Sequence, residues 1–470
     1  MADFGLSTLV VAALVAAATI AVARRRPFAA LAFLILAIAL RDFSTRWMNV
    51  HTPLTVSQVT AIGRWWFVVV LALLAACGVC WTIRARQERR IPRPNLADVV
   101  LAAVVGIAVL ATLISPNRQA GFLSLRGYLQ PLGVFLLARL IAPTRKELRT
   151  LLIAWLGIGL VMAAFGLWQA AGWGEAEYRA QGYLRQDGDL VVPYASVGGR
   201  MYLRPASTVS GPNELGMDMV LLFLMAGFSA VLGPKSTRLQ LAGLSLLFIA
   251  CLAASLSRSA FLGWVAALIT GLVLFKRDLM RLWMSATRRR RVTLVVAGGL
   301  GLTTGALILA GTPLLQLVFR TVSGFTSQYH IVDSVRAIEY LLQHPEGVGM
   351  GLVEPKGAQA LIEAGGLYHV EGSTFQIGIE MGIWGLAVWL AFWAATLARI
   401  GRNWRSLVSP ELKVVAGTAY TGWVASLVAF LFLPLMQSIS LMCWLWFLLG
   451  VGYQSDRFEI AWQAAEAASG

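Results

Sequence analysis

Charged side chains are scarce in this chain. Of its 470 residues, 13% are charged and 58% are hydrophobic, whereas a soluble globular protein has roughly 25% charged residues. The mean hydropathy is +0.71. Many apolar runs approach or exceed the roughly 18 residues that mark a spanning helix. These features exclude a soluble protein and predict an all-α polytopic membrane protein.

Other features that the sequence lacks narrow the kind of membrane protein further. Alternating segments of about 10 residues, which outer-membrane barrels require, are missing. The four cysteines lie in apolar runs, and the Cys77-x-x-Cys80 pair has no second pair or histidine partner, so we interpret them as buried structural residues. The apolar run at 5–22 lacks a basic leader and a clear cleavage site, which predicts a retained helix and not a signal peptide.

Thirteen apolar segments are candidate spans, and the second is short enough to tilt or re-enter. Their predicted ranges are 5–22, 27–40, 64–83, 96–114, 127–142, 150–171, 212–232, 240–256, 259–275, 292–311, 375–397, 413–433 and 437–453. We expect most of the 17 tryptophans to lie in interfacial belts.

The basic residues predict the sidedness. When the connections are numbered alternately, most of the 39 lysines and arginines fall on one side, including the run of four arginines at 288–291. The positive-inside rule makes that side cytoplasmic, and it explains the net charge of +16 without a nucleic-acid partner. The chain then divides into 1–171 (membrane helices), 172–211 (first periplasmic loop), 212–311 (central helices), 312–374 (large periplasmic loop), 375–455 (last helices) and 456–470 (cytoplasmic tail).

Arginines gather at the predicted outer interface. Arg200 and Arg204 close the first outer loop in "RMYLRPASTVSGPNELG" (200–216), whose "GPN" turn, with Asn213, starts the next helix. Arg258 lies in "SLSRSAFLGW" (255–264), between two spans joined by almost no loop. Such an arginine either snorkels to lipid headgroups or clamps an anion, because guanidinium grips phosphate bidentately.

The second outer loop adds further candidates. "SQYHIVDSVRAIEYLLQHPEGVGMG" (327–351) has helical apolar spacing at 333–343, with His330 before it and Arg336 within it, and then a glycine-rich segment that is only weak evidence for phosphate binding. "YHVEGSTFQIGIEMGIWGLAVWL" (368–390) places Glu371 and Ser373 at the entrance of the next span. Glu380 lies deeper, where a carboxylate is either functional or bonded to a neighbouring helix.

Cations together with a carboxylate or imidazole at a lipid interface suit one task. The arginines would hold a lipid-linked diphosphate, and the carboxylate or imidazole would deprotonate an incoming hydroxyl. The periplasm offers no ATP, so an activated lipid carrier must supply the energy.

Four segments in this order resemble the O-antigen ligase and O-antigen polymerase superfamily. They are "RPASTVSGPNELG", "SLSRSAFLGW", "RAIEYLLQHPEGVGMG", which is similar to the family's "hP-x-G-x-G" signature, and "EGSTFQIGIEMGIWGLAVWL" with its "G-x-x-G". The resemblance implies a GT-C-type fold of about 12–13 transmembrane helices with a large periplasmic loop. It also implies a metal-independent glycosyltransferase without a cofactor, which takes glycans from undecaprenyl diphosphate. We predict an inverting direct displacement, in which the acceptor hydroxyl attacks the anomeric carbon.

The resemblance also implies residue roles. Arg204 and Arg258 would contact the diphosphate, with Arg200 and Arg336 as further candidates. The ligase pattern has a histidine eleven residues before Gly382, where this chain has Glu371. Glu371 is therefore the predicted base, with His330 as the second catalytic candidate. His369, Asn213 and Ser373 are additional site candidates.

The ligase pattern also has an arginine on the loop helix, and here His330 is nearest its place. These two departures from the ligase pattern favour a polymerase over a ligase that transfers glycan to lipid A–core. The predicted partners are the undecaprenyl-diphosphate-linked oligosaccharide, a glycan or lipid A–core acceptor, membrane lipid and a chain-length regulator. The predicted location is the bacterial inner membrane, with the active site facing the periplasm. A transporter is the rival from another class, but no internal repeat is evident and the polar residues gather at one face and not at mid-depth.

Overall fold

The structure is a computed structural model. It describes residues 26–39, 41–52, 58–59, 78–79, 82, 96–183, 190, 194–197, 200–285, 325–353, 370 and 372–469. The predicted spans 5–22 and 292–311 lie outside the described residues, and the span 64–83 does so except at three positions.

The first half of the described chain is helical apart from one hairpin. Its elements are α1 (Pro27–Ala39), α2 (Arg41–His51), α3 (Leu96–Ile114), α4 (Arg118–Leu140), α5 (Arg145–Gly172), α6 (Glu175–Ala180), and the strands β1 (Tyr194–Val197) and β2 (Arg200–Leu203). The strands pair antiparallel, with Tyr194 opposite Leu203 and Val197 opposite Arg200. The hairpin and α6 belong to the predicted first outer loop.

The second half consists of helices joined by turns and loops in its described parts. Its helices are α7 (Pro212–Leu232), α8 (Arg238–Ala254), α9 (Arg258–Ser285), α10 (Phe325–Gln343), α11 (Ser373–Ser406), α12 (Pro410–Phe430), α13 (Ile439–Tyr453) and α14 (Ser455–Ser469). Two short 3-10 turns, Lys235–Thr237 and Leu435–Gln437, precede α8 and α13.

Six described helices are long and apolar enough to cross a membrane: α3, α5, α7, α8 with the turn before it, α11 and α12. The helices α1, α9 and α13 contain shorter apolar stretches. The prediction of a helical, multi-pass membrane protein is thereby confirmed. The GT-C fold and the count of 12–13 helices stay predictions.

Local signals explain several helix bounds. The α4 helix begins nine residues before the predicted span at 127–142, because the Asn117 side chain caps it by accepting a hydrogen bond from the Ala120 N–H at 3.0 Å. Thr144 and Glu147 form a capping box at the start of α5. Pro212 follows Gly211 at the first position of α7, where the missing N–H of proline costs nothing.

Tryptophans fill part of the centre of the bundle, whereas the expectation that most of the 17 lie in interfacial belts stays a prediction. The Trp393 and Trp423 rings stack with centroids 3.4 Å apart, and those of Trp155 and Trp444 with centroids 3.9 Å apart. Aromatic side chains bury large apolar areas, and here they join α5, α11, α12 and α13. Among the described residues, eight tryptophans are buried: Trp155, Trp389, Trp393, Trp404, Trp423, Trp444, Trp446 and Trp462.

The bundle has two chemically different ends, which we name after one residue each. At the Arg145 end, Arg145 contacts Glu411 at 3.2 Å and Glu466 at 3.3 Å. Trp462 Nε1 donates to the Pro143 carbonyl at 2.7 Å, which fixes α14 beside the start of α5. The starts of α5 and α12 therefore lie together at this end.

The Arg204 end is the opposite one. Gly159 of α5 packs on Leu222 of α7, and Gly166 packs on Leu215, so the two helices run antiparallel. The end of α5 is consequently level with the start of α7, beside the loop that carries Arg204. This loop and the turn before Arg258 lie away from the Arg145 end, which separates the predicted outer arginines from Arg139, Arg145 and Arg399.

Candidate functional site

Arg204 is the centre of a polar cluster at the Arg204 end. Its Nε donates to the Ser255 carbonyl at 3.0 Å, and its Nη2 donates to Asn213 Oδ1 at 2.6 Å. Ser257 Oγ also donates to Asn213 Oδ1, at 3.1 Å. The first turn of α7 and the turn between α8 and α9 thus hold one guanidinium between them. Asn213, predicted only as an additional candidate, is the residue that joins the two segments.

Arg258 is the second cation of this cluster. It begins α9, it is partly buried, and it makes no hydrogen bond or ion pair with the described residues. Burial lowers the pKa of Arg204 to about 10; Glu214 opposes this shift and the charge of Arg258 adds to it. Both arginines are therefore cations at neutral pH, close enough to repel. An anion between them would relieve that repulsion.

A second network fixes the loop that carries Arg204. Arg46 of α2 donates to the carbonyls of Ser207, at 3.0 Å, and Val209, and its guanidinium lies 4.2 Å from the Tyr183 ring centroid. Tyr183 donates to the Ser207 carbonyl at 2.5 Å, and Gln169 accepts from the Ser207 N–H at 2.7 Å. Burial raises the pKa of Tyr183, and Arg46 opposes this. Arg46 lies on α2, in the connection that follows the second predicted span. This connection therefore helps to hold the loop that carries Arg204.

The glycine-rich segment 347–351 is held by backbone contacts on two helices. Val348 and Gly349 donate their N–H groups to the carbonyls of Ile379 and Glu380, at 2.9 Å and 3.2 Å, and Met350 donates to the Ala111 carbonyl at 3.1 Å. These bonds dock the large loop on α11 and on the end of α3. The segment therefore packs against protein along its length, which explains its glycines without a phosphate.

Two glycines show why no side chain fits there. Gly351 has φ of +81°, and an added Cβ would overlap the Ala120 backbone. Gly382 has φ of +74° in a break within α11, and an added Cβ would lie 2.6 Å from the carbonyl oxygens of Pro345 and Glu346. Left-handed backbone and close approach both favour glycine.

Glu380 joins the glycine-rich segment to α11 and α4. Its Oε1 accepts from the Gly351 N–H at 2.9 Å, and its Oε2 accepts from Ser124 Oγ at 3.5 Å. The side chain is buried, with 2% exposed. Of the two interpretations that the sequence left open, these contacts favour hydrogen bonding to neighbouring elements.

The start of α11 forms a small crevice with the loop helix α10. Ser373 Oγ donates to the Leu433 carbonyl at 2.9 Å and accepts from the Met436 N–H at 3.1 Å, so its hydroxyl fixes α11 to the segment after α12. The crevice is lined by Asp333, Ser334, Val370, Gly372, Phe375, Leu431 and Phe432. Val370 and Gly372 are the sequence neighbours of Glu371, so the predicted base flanks this crevice in sequence.

The Arg258 cluster and the start of α11 lie at the same end of α12. Gly263 of α9 packs on the Ala425 backbone, and Gly372 packs on the Leu431 carbonyl. With a rise of about 1.5 Å per helical residue, Arg258 lies about 7.5 Å from Gly263 along α9, towards the Arg204 end. By the same rise, Leu431 lies about 9 Å from Ala425 along the direction of α12, also towards the Arg204 end. Arg258 and the start of α11 therefore lie at nearly the same height along the bundle.

The other predicted site residues have different outcomes. Arg200 lies in β2 and His330 in α10, but their side chains are not among the described ones. His369 and Glu371 lie outside the described residues. Arg336 lies on α10, is exposed, and makes no hydrogen bond or ion pair with the described residues.

Sequence reasoning missed the carboxylates beside the arginines. Glu214 and Asp218, one turn later, are not among the site residues that the sequence predicts; Asp42 of α2 acts electrostatically on both. A four-residue spacing of acids inside an apolar run was the available signal. The electrostatic attraction between Glu214 and Arg204 depends on tertiary packing.

Comparison with known proteins gives no family assignment. A scan against protein-family models and a search of the curated proteins both find no match for this chain.

Proposed function

We propose that this protein is an integral-membrane glycosyltransferase. It transfers a glycan from undecaprenyl diphosphate to an acceptor hydroxyl at the Arg204 end, which faces the periplasm of a bacterial inner membrane. The observation that carries the proposal is the Arg204–Arg258 pair, in which one guanidinium is held by the protein and the other has no partner among the described residues.

The chemistry of this pair suits a diphosphate. Arg204 has two of its donors engaged by Ser255 and Asn213, so its orientation is fixed before a ligand arrives. Arg258 makes no hydrogen bond or ion pair with the described residues, and guanidinium groups match phosphate oxygens in bidentate geometry. The pair lies at the end of apolar helices, so a polyprenyl chain could stay in the bilayer while its headgroup reaches the arginines.

The proposed reaction is a direct, inverting displacement. The acceptor hydroxyl attacks the anomeric carbon, and the bond from that carbon to the diphosphate oxygen breaks. The leaving diphosphate takes the electron pair, and the two arginines stabilise its charge. Glu371 and His330 stay predicted bases from the sequence, and the proposal requires no metal or cofactor.

Polymerisation is the first proposed reaction, with a lipid-linked repeat unit as the acceptor and a chain-length regulator as a partner. Transfer to lipid A–core is the alternative. The two differ in the acceptor and share the donor, so the same arginine pair serves both.

The test is an assay with purified protein in vesicles that contain a lipid-linked repeat unit. We expect a ladder of longer lipid-linked chains. Product that forms only after lipid A–core is added would assign the ligase reaction. Arg258→Ala should abolish transfer while the folded protein persists, and Arg179→Ala, an exposed arginine at the same end, is the matched control. Passage of the substrate across the vesicle membrane without any new glycosidic product would replace the proposal with a transporter.

A further inference from the structure

An apolar groove lies between α7 and α9 and encloses about 200 Å³. Its walls are residues 223–232 of α7 and 267–272 of α9, and every side chain that lines it is aliphatic or aromatic, with Gly227 and Gly271 among the lining residues. The side chains of Val231 and Leu272 are 38% and 62% exposed. Because both helices are apolar membrane helices, this α7–α9 groove opens to the hydrocarbon of the bilayer.

The groove lies in the half of the bundle towards the Arg145 end. The helices α7 and α9 both run away from the Arg204 end, and they touch at Gly216, where an added Cβ would lie 2.9 Å from the Ala260 Cβ. The groove begins at Phe223 and Ala267. Each of these residues is seven positions beyond the contact, or about 10 Å along its helix.

An aromatic pair separates the groove from the arginine pair. The rings of Phe223 and Trp264 meet edge to face, with centroids 5.8 Å apart. Trp264 is one turn beyond Ala260 on α9, so the two rings bridge the helices between their contact and the groove. Arg204 and Arg258 lie on the other side of this contact. A chain in the groove therefore belongs to a molecule other than one whose headgroup sits at the arginine pair.

Arg238 lies at the rim of the groove, at its Arg145 end. Its Nη2 donates to the carbonyls of Val231 and Gly233, both at 3.5 Å, and Val231 lines the groove. The Nε of Arg238 is buried and has no hydrogen-bond partner among the described residues. The guanidinium is thus placed beside the open end of an apolar groove.

Two lysines continue this basic rim. Lys235 follows Leu232, the last groove residue of α7, by three positions, and Lys276 follows Leu272, the last groove residue of α9, by four. Both lysines are exposed. From the contact of α7 with α9, Leu232 and Lys276 are each about 24 Å along their helices, so the basic residues of both walls lie at a similar height.

We propose that the α7–α9 groove binds one acyl chain of an anionic phospholipid, whose phosphate contacts Arg238, Lys235 and Lys276. Basic pockets between membrane helices bind anionic headgroups, and an acyl chain packs in a groove that small residues open. The lipid comes from the leaflet at the Arg145 end. It joins α7 to α9, the two helices whose starts hold the arginine pair together. The inference is independent of the proposed function.

The first experiment fills the groove. Purified, delipidated full-length protein is titrated with phosphatidylglycerol or with phosphatidylcholine of the same acyl chains, and native mass spectrometry measures the bound lipid. We expect one phosphatidylglycerol to bind about tenfold more tightly than phosphatidylcholine. Gly227→Leu should lower the phosphatidylglycerol affinity about tenfold, because the new side chain occupies the groove. Gly243→Leu of α8 is the matched control, since an added Cβ meets nothing within 4 Å at either glycine.

The second experiment removes the basic rim and leaves the groove open. Lys235→Gln combined with Lys276→Gln should lower the phosphatidylglycerol affinity about tenfold and leave the phosphatidylcholine affinity unchanged. Lys146→Gln combined with Arg149→Gln, two exposed residues at the same end, should match the unaltered protein. The melting temperature in detergent without lipid shows whether each variant is folded, so a lost headgroup contact is distinguished from lost structure.

Three results would overturn the inference. The first is equal affinity for the two phospholipids, or unchanged phosphatidylglycerol affinity in the folded Gly227→Leu or double lysine variant. The second is undecaprenyl phosphate that displaces phosphatidylglycerol and itself binds more weakly to Gly227→Leu, which would assign the groove to the chain of the proposed donor. The third is a dimer that Gly227→Leu dissociates and phosphatidylglycerol does not, which would assign the groove to a second copy of this chain.

Discussion

Arg204 and Asn213 are joined by a 2.6 Å hydrogen bond from Nη2 to Oδ1. The bond links the end of the first outer loop to the first turn of α7. Ser257 donates to the same Asn213 oxygen, so one amide orients the arginine and ties it to the turn that leads to Arg258.

Arg204→Lys keeps the charge but loses the fork of donors that reaches Ser255 and Asn213 together. A hydrogen bond to a charged group contributes about 1.5–3 kcal/mol, so we expect donor affinity to fall at least tenfold and the melting temperature to drop. Binding to donor-containing vesicles and thermal unfolding in detergent measure the two effects. Arg179→Lys is the control, and equal behaviour of both variants would contradict the assigned role of Arg204.

Gly351→Ala should release the large loop from α4. A Cβ at this position meets the Ala120 backbone, and φ of +81° is unfavourable for alanine. We expect a lower melting temperature and faster proteolysis within 325–353. Gly157→Ala is the matched control, because an added Cβ there has nothing within 4 Å, and helical alanine should stabilise by about 0.5–1 kcal/mol. Unchanged proteolysis in Gly351→Ala would argue against the docked loop.

Glu380→Ala should cost more stability than Glu380→Gln. Alanine leaves the Gly351 N–H buried without its acceptor, a loss of about 1–3 kcal/mol, whereas the glutamine carbonyl oxygen can still accept it. Hydrogen exchange at the Gly351 amide reports the contact directly. We expect fast exchange in the alanine variant and slow exchange in the glutamine variant. Equal protection in both would show that Glu380 does not hold the segment.

Asp98→Asn should destabilise the Arg145 end. Asp98 forms an ion pair with Arg139, whose side chain is 4% exposed, and removing one partner of a buried pair costs about 3–5 kcal/mol. The partly exposed pair of Arg399 and Asp456, 3.2 Å apart, provides the comparison. We expect thermal unfolding to shift more in Asp98→Asn than in Asp456→Asn. The reverse order would contradict the buried pair as a stabilising contact.

Cysteine labelling tests which end faces the periplasm. Glu175→Cys lies at the Arg204 end and Glu466→Cys at the Arg145 end, both in a background whose native cysteines are replaced by alanine. A membrane-impermeant maleimide applied to cells with a permeable outer membrane should label position 175 at once and position 466 only after lysis. The opposite pattern would invert the proposed orientation.

Part of the site could be predicted because its signals are local in sequence. "SLSRS" and "RPASTVSGPN" are polar interruptions between apolar runs, and alternation of the spans put Arg204 and Arg258 on one side. Glu380 was also evident as an acid within a span, but its partner Gly351 is 29 residues away. The Glu214 and Asp218 pair was missed, since its surroundings include Asp42 and Arg204 from other parts of the chain.

The sequence alone indicated that this protein lies in a membrane, because a lipid bilayer requires long apolar runs. It also gave the approximate positions of many helices, because helix caps act over a few residues. The tertiary structure decided which polar groups meet. Backbone packing of Gly351, Gly382 and Gly263 sets the approach of distant segments, and buried tryptophans from four helices meet in the core. Such contacts join residues that no local pattern relates, so they follow only from the packed bundle.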